Sequence, residues 1–413
     1  MQSVSHKAAA IIIAAMTAVI LILVSVTVTL TLAGGKGYAG LAQNGNGSDD
    51  YASRYQRLDE VYNLLMDEYY VEVDSDALIQ GAIDGMMASL GDPYTFYFTP
   101  DEMSATNSSR SGNYVGIGVQ VVRTDDNYIR VTRVFSNSSA KEAGIRIDDI
   151  IYSADGVLLR PQSDTELTEC VAKIKEGEIG TFVEIEIMRG EEIIPVSVER
   201  VAVTQDRVEY EILEGDIGYI LLYDFFGNAI EGIESALENF RENDVKGLIF
   251  DVRGNPGGSL DLCIQITDYF VDGGVIVYTE DRYGIRMNYE GEDGRVELPL
   301  VILVNGDSAS ASEIFAAAIQ EAGTGTVVGE TTFGKGIVQT LYQFYQDGAG
   351  MQLTTSAYYT QSGKSIHNTG VTPDVIVSND PGETGDEATD KQLMKALEIL
   401  WEETGYVKLE DAA

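Results

Sequence analysis

The chain has 413 residues, 44% hydrophobic and 23% charged; this is globular composition on a length too great for one ordinary core, so two or three folded units are expected. Its 66 acidic against 27 basic side chains give a formal charge of −39, a field that repels polyanions; this argues against nucleic acid and anionic bilayer surfaces as partners and favours an ionic, extracytoplasmic setting. Two cysteines, Cys170 and Cys263, are too few for a disulfide framework and read as buried free thiols, and with only His6 and His367 as imidazoles neither a metal site nor a cofactor is read from the chain.

From Ala8 through Gly35 there is no charge, with Lys7 before and Lys36 after. At ~1.5 Å per helical residue that run exceeds the ~30 Å hydrocarbon core and outruns an ordinary signal-peptide core. Residues 8–35 therefore read as an uncleaved transmembrane signal anchor behind a short cytoplasmic stub, 1–7. A cleaved export signal with Ala39 and Ala42 near the site is the alternative, and both put the body outside the cytoplasm. Asn44-Gly45-Asn46-Gly47-Ser48-Asp49-Asp50 makes 36–52 a flexible linker. Next, Leu58, Val61, Tyr62, Leu65 and Tyr69 recur at helical spacing, and a second helix is predicted over Asp76–Leu90, ended by the turn signal Gly91-Asp92-Pro93. Residues 53–111 form the expected helical subdomain.

Residues 112–200 read as a separate unit of short strands and turns, opened by Tyr114-Val115-Gly116-Ile117-Gly118-Val119-Gln120-Val121 and continued by Ser139-Ala140-Lys141-Glu142-Ala143-Gly144-Ile145 and Asp148-Asp149-Ile150-Ile151. This resembles a PDZ module, in which a glycine loop offers backbone N–H groups to a terminal carboxylate while the peptide adds as a strand. The resemblance gives that contact to Gly116, Ile117, Gly118 and Val119. Asp148 stands where the module usually has glycine.

From Val201 strands alternate with helices: Ile217–Leu222, a helix over Ile230–Phe240, Leu248–Val252, a helix over Leu260–Phe270, Val275–Thr279 and Leu300–Val304. The pattern predicts a layered α/β core over 201–380, with a closing strand at Val375-Ile376-Val377. In the C-terminal segment 381–413, Asp390–Trp401 reads as an amphipathic helix carrying Leu393, Leu397 and Leu400 on one face.

Three segments of the core carry chemistry. In Asn305-Gly306-Asp307-Ser308-Ala309-Ser310-Ala311-Ser312-Glu313, Ser310 falls between a buried strand and a helix over Glu313–Ile319 that ends near Gly323. N–H groups at a helix start have no intrahelical acceptor and can donate to an oxyanion formed when a hydroxyl attacks a carbonyl, Ala311 being the first such donor. Ser310 with Glu313 also fits a plain capping box. In Phe333-Gly334-Lys335-Gly336-Ile337-Val338-Gln339, Lys335 begins a run in which Lys335, Ile337, Gln339 and Leu341 share one face if it is a strand. Burial disfavours the ammonium; bringing it from about 10.4 to about 7.5 takes about 4 kcal/mol. The Gln339 amide could orient the amine; the alternative is a surface lysine in a glycine turn. Lys246–Gly258 is a strand running into the loop Arg253-Gly254-Asn255-Pro256-Gly257-Gly258, whose N–H groups suit an oxyanion or a phosphate, though the Gly-Lys-Ser/Thr ending of a phosphate loop is missing.

Strand, glycine loop, Ser-Ala-Ser-Ala-Ser-Glu and Phe-Gly-Lys-Gly-x-x-Gln together resemble the carboxyl-terminal processing peptidases, or tail-specific proteases, in order and spacing. The resemblance implies a serine/lysine dyad with Ser310 as nucleophile, chosen over Ser308 and Ser312 by the family's separation of 25 positions. It further implies Lys335 as general base, Gln339 as its orienting partner, and the N–H groups of Gly258 and Ala311 as oxyanion donors. Gly254 departs from the family's asparagine. The expected whole is an α/β protease core with a helical subdomain and an inserted PDZ-like domain, preceded by a single transmembrane helix. It would act on protein or peptide substrates with free C-termini, at the cell membrane with its body extracytoplasmic, and the family makes a homodimer plausible. The rivals are a catalytically silent PDZ adaptor and a Ser-His hydrolase resting on His367.

Overall fold

The structure is a computed structural model describing residues 48–124, 126–135, 138–190, 192–292, 296–379 and 389–407. The expected stub and anchor, 1–35, lie outside these residues, as do positions 36–47 of the linker. Among the described residues no helix is long and apolar enough to cross a membrane. One compact unit ends at Ser89 and a second begins at Leu90.

The first unit contains helices α1 (Ser48–Glu68) and α2 (Ser75–Ala88). The Asp74 carboxylate caps α2 by accepting from the N–H groups of Asp76 and Ala77 at 2.9 and 3.3 Å. Leu58, Val61 and Leu65 face Leu78, Ile79 and Ala82, yet no residue of α2 is buried, so the pair leaves much of its apolar surface open. Helix α2 ends at Ala88, and β1 (Phe96–Phe98) belongs to the second unit, where it pairs antiparallel with β18 (Gly350–Thr360). The three consecutive aromatics of Phe96-Tyr97-Phe98 suit a strand. Helix α3 (Pro100–Ser111) follows, with Thr99 and Glu102 forming a capping box and Gly112 closing it in the left-handed region.

The second unit holds separate apolar cores. The PDZ-like part comprises β2 (Asn113–Gly116), β3 (Val119–Arg123), β4 (Ile129–Val134), α4 (Ser139–Glu142), β5 (Ile150–Ala154), β6 (Val157–Leu158), α5 (Asp164–Lys175), β7 (Phe182–Arg189), β8 (Glu192–Glu199) and β9 (Val201–Thr204). Its sheet runs β3-β4-β5-β7-β8, and β2 pairs with β9 beside it. Alternate residues of β7 (Val183, Ile185, Ile187) are buried against Ile129, Val131 and Ile151. Asp148 adopts φ +68°, the left-handed conformation that Asp tolerates better than most residues and that explains a glycine in the same turn elsewhere.

The catalytic-type core has a six-stranded sheet in the order β10 (Val208–Leu213), β11 (Ile217–Leu222), β12 (Gly247–Asp251), β15 (Leu300–Val304), β16 (Thr326–Gly329) and β19 (Val375–Ile376), parallel except for β10. Every residue of β12 and β15 is buried, as expected of parallel strands covered on both faces. Leu248, Phe250, Ile302 and Val304 turn toward α6 (Ala229–Glu242), α7 (Leu260–Asp268) and α8 (Ala311–Ala322), while Ile249, Val301 and Leu303 turn toward Leu393, Leu397 and Leu400 of α9 (Lys391–Thr404). The strand predicted at Val275–Thr279 leaves this sheet. It is β13 (Gly274–Asp281), part of a second, antiparallel sheet in the order β1-β18-β13-β14, with β14 being Arg286–Gly291 and β17 (Ile337–Gln343) on the other side of β18.

Candidate active site

Strand β15 ends at Val304 and α8 starts at Ala311, so six residues reverse the chain between them. The three serines of this turn meet different fates. Ser308 is fully buried and donates its hydroxyl to the Val252 carbonyl at 2.7 Å; Ser312 is fully buried and donates to the Asn255 carbonyl at 2.9 Å. Ser310 lines an open cavity of about 410 Å³. Its backbone takes φ +56° and ψ −113°, a conformation costing about 1–3 kcal/mol for a residue with a Cβ, of the kind found where a nucleophile is thrust out of a sharp strand-to-helix turn. Ser310 and Glu313 have the reciprocal arrangement of a capping box, but the hydroxyl makes no cap hydrogen bond; the closed half is the Ser310 N–H donating to Glu313 Oε2 at 2.8 Å.

Glu313 does more than cap. Wholly buried, its carboxylate also accepts the Thr332 hydroxyl at 2.6 Å, the Gly334 N–H at 2.7 Å and the Lys335 N–H at 2.8 Å. One side chain thus ties the serine turn to the lysine segment. Tyr358 of β18 joins them a second time: its hydroxyl contacts the Ser310 carbonyl at 3.1 Å and the Lys335 carbonyl, and burial holds the phenol well above its ordinary range.

Lys335 precedes β17 instead of opening it, since the strand begins at Ile337. Lys335 and Gln339 nonetheless line the cavity of Ser310 together with Gly257, Gly258, Ala311 and Arg110. Burial pushes the Lys335 ammonium below its ordinary range, partly offset by the charges of Asp92 and Glu313. The Nζ stands 4.6 Å from the centre of the Tyr94 ring. The amide nitrogen of Gln339 donates to Thr354 Oγ1 at 3.2 Å. Exposed His367 is not among the residues lining the cavity; its Nδ1 accepts the Gly336 N–H at 3.3 Å beside the lysine segment.

The glycine loop is braced from beneath by Asn255, which is fully buried. Its side chain donates to the Leu222 carbonyl and accepts the Gly257 N–H, both at 2.8 Å, while its carbonyl accepts the Ala309 N–H at 3.0 Å. The N–H of Gly257 is therefore occupied. No acceptor is found for that of Gly258 among the described residues, and that of Ala311 heads its helix. A Cβ on Gly257 (φ +101°) would fall 2.8 Å from the Ala309 carbonyl oxygen and from Ser310 Cβ, so the two loops approach as closely as backbone allows. Gly254 takes φ +67° with open space around it, a position asparagine also tolerates.

In the PDZ-like part, Gly116 ends β2, Ile117 is buried and Val119 begins β3, the edge strand of its sheet, with α5 packed alongside. The carbonyls of Ile117 and Gly118 point inward to the N–H groups of Ala140 and Phe135 at 2.9 and 3.0 Å. Cys263 is buried and Cys170 only half-buried, because it lies on the rim of α5; both are free. No cluster of metal-ligating side chains occurs among the described residues.

Sequence reasoning missed Tyr94, Asn255 and Tyr358 and saw Glu313 only as a cap. A glutamate at the third helix position, followed by a glycine-flanked lysine, was the available signal.

Comparison with known proteins adds the descent. Residues 216–377 match the peptidase family S41, 115–199 match the PDZ domain, and 30–102 match the N-terminal domain of the activating protease CtpB. The carboxy-terminal processing protease CtpA of Bacillus subtilis (strain 168) is 35% identical over 326 residues, covering 78% of this chain and 69% of that protein. The carboxy-terminal-processing protease of Bartonella bacilliformis is 33% identical over 341 residues, covering 80% and 77%. A crystal structure from Bacteroides fragilis assigned to the S41 proteases shares the fold with a TM-score of 0.53 at 16% identity, over 78% of this chain and 88% of that one. Agreement at a third of positions across more than two thirds of both chains places the protein among the carboxy-terminal processing proteases of peptidase family S41, serine-type peptidases, here with a PDZ module.

Proposed function

We propose that the chain is a membrane-tethered endopeptidase that engages the free C-terminus of a protein substrate through its PDZ module and cleaves nearby with a Ser310–Lys335 dyad. The observation carrying this reading is the convergence of Ser310, a lysine depressed by burial, and the uncommitted N–H groups of Gly258 and Ala311 on one cavity. In the acylation step the neutral Nζ of Lys335 takes the Ser310 proton as Oγ bonds to the scissile carbonyl carbon. The negative oxygen is held by the two N–H groups. Collapse breaks the C–N bond, and the leaving amine takes the proton from Nζ. Water then attacks the acyl ester with Lys335 again as base, and the proton returns to Ser310 as the acid departs. Gln339, its amide nitrogen spent on Thr354, orients the lysine through its amide oxygen.

The PDZ contact is supported by β3 at an open sheet edge beside α5, the setting for strand addition, with the Gly116–Val119 turn at its head. The uncharged run 8–35 supplies the anchor and holds the catalytic body outside the cytoplasm. Exposed Leu58, Leu64, Ile79 and Met86 on the α1–α2 pair offer a surface for a homodimer.

The deciding experiment is Lys335→Arg. A guanidinium stays protonated and cannot accept the hydroxyl proton, so turnover of an unstructured peptide falls to the level of Ser310→Ala while His367→Ala keeps most activity. In the unsubstituted chain kcat/KM rises with pH through the lowered pKa of Lys335, because only the neutral amine is a base. Substantial turnover by a folded Lys335→Arg variant would make Lys335 a structural charge.

A further inference from the structure

The segment Gly91-Asp92-Pro93-Tyr94-Thr95, whose first three residues read from sequence as a turn, is built into the candidate active site. Tyr94 is fastened to β18 through its carbonyl, which accepts Gln352 Nε2 at 3.2 Å. The buried Thr95 hydroxyl accepts the Thr354 N–H at 3.1 Å and donates to Asp92 Oδ2 at 2.6 Å. Asp92 Oδ1 accepts the Tyr94 N–H at 2.9 Å. Thr354 is also the partner of Gln339. The result is a stiff bracket that presents the face of the Tyr94 ring to the Lys335 Nζ, 4.6 Å from the ring centre, within the range where a ring's negative face attracts an ammonium.

We propose that Tyr94 is a positioning residue for the lysine base: its ring face holds the Nζ of Lys335 in the cavity that Ser310 lines and, with Asp92, governs how readily that nitrogen releases its proton. This rests on the dyad reading above. Besides Gln339, four charged or polar neighbours bear on the nitrogen. Asp92 and Glu313 favour the ammonium, Arg110 in the lining of the same cavity is a like charge, and the Tyr358 phenol is committed to backbone carbonyls. The ring is the neighbour whose effect depends on face geometry alone, so it can be separated from the rest. It favours the charged form without a formal charge and fixes the arc through which Nζ swings toward Oγ.

The test is the pH dependence of kcat/KM on an unstructured peptide, using the full chain. Tyr94→Phe keeps the face, so its rising limb stays where the unsubstituted chain has it and its rate stays within about threefold. Tyr94→Leu removes the face; the ammonium loses a stabilising partner, and the limb moves to lower pH by about half a unit to one and a half units. Its plateau kcat falls about tenfold, because a released amine samples positions away from Ser310. Should the leucine variant fold poorly, Tyr94→Phe carrying a perfluorinated ring keeps shape and volume while reversing the charge of the face, and must displace the limb in the same direction. Limbs that coincide for phenylalanine, its fluorinated form and leucine overturn the proposal, as does equal displacement by all three. Turnover by Lys335→Arg would instead remove the dyad, whatever Tyr94 does.

Discussion

Ser310 keeps its hydroxyl in the cavity by accepting a left-handed backbone that its own Cβ opposes. Removing that Cβ should separate function from stability. Ser310→Gly is expected to abolish turnover yet raise the unfolding free energy by about 1 kcal/mol, whereas Ser310→Ala is equally inactive without the gain. Urea denaturation of the two variants checks this, and a glycine variant less stable than the alanine one would mean the turn is unstrained. The two glycines of the facing loop should diverge in the same assay. Gly254→Asn, at φ +67° with nothing nearby, is expected to change stability by less than about 0.5 kcal/mol. Gly257→Ala drives a methyl into the Ala309 carbonyl and the Ser310 side chain, so it should cost at least about 2 kcal/mol and most of the activity. Comparable behaviour of the two would deny the close packing of the loops.

Among the elements, α9 is joined to the sheet by more than its leucines. The Arg253 guanidinium is paired with Asp251 at 2.7 Å and with Asp390, the cap of α9, at 2.8 Å, all three side chains at most 2% exposed; Gln392 accepts from the same arginine at 3.0 Å. Burial opposes the arginine's charge, but the two carboxylates more than compensate and hold its pKa above the ordinary range. Asp390→Ala leaves that charge underpaired in a dry interior and uncaps the helix, so it should lower the unfolding free energy by about 3–5 kcal/mol. A thermal or urea melt showing a loss under about 1 kcal/mol would mean that the leucine face alone docks α9. The helix itself was plain from Leu393, Leu397 and Leu400 at helical spacing. Its ionic attachment was not, because Arg253 and Asp390 lie 137 positions apart and each reads locally as an ordinary loop or cap residue.

For the molecule as a whole, the proposed reading puts substrate selection on the PDZ-like part and cleavage on the α/β core. If the Gly116–Val119 turn holds a terminal carboxylate, amidating a substrate peptide removes a set of charge-assisted hydrogen bonds. Cleavage efficiency should then fall about 10- to 100-fold, seen mainly in KM. Equal kcat/KM for free-acid and amidated peptides, measured side by side, would take the PDZ module out of substrate selection. A chain shortened to begin at Asp50 should give the same contrast, since Ser310, Lys335 and the Gly116–Val119 turn all lie beyond Leu90.

What the sequence determined by itself was whatever depends on neighbours along the chain. Strands Ile217–Leu222 and Leu300–Val304 lie where hydrophobic runs predict them, and α8 ends at Gly323 because glycine alone enters the left-handed cap freely. The Ser310–Ala311 turn and the glycine loop were legible for the same reason: local periodicity and turn chemistry operate over a few residues. Tertiary structure decided what depends on distant partners. It moved Val275–Thr279 into the antiparallel sheet, assigned the hydroxyls of Ser308 and Ser312 to buried carbonyls, and made Glu313 the knot between two segments 22 positions apart. It also set Tyr94 beneath a lysine 241 positions further along, by way of hydrogen bonds to β18. A side chain's partner across such a separation is chosen by how sheets and helices pack, and no pattern along the chain encodes that choice.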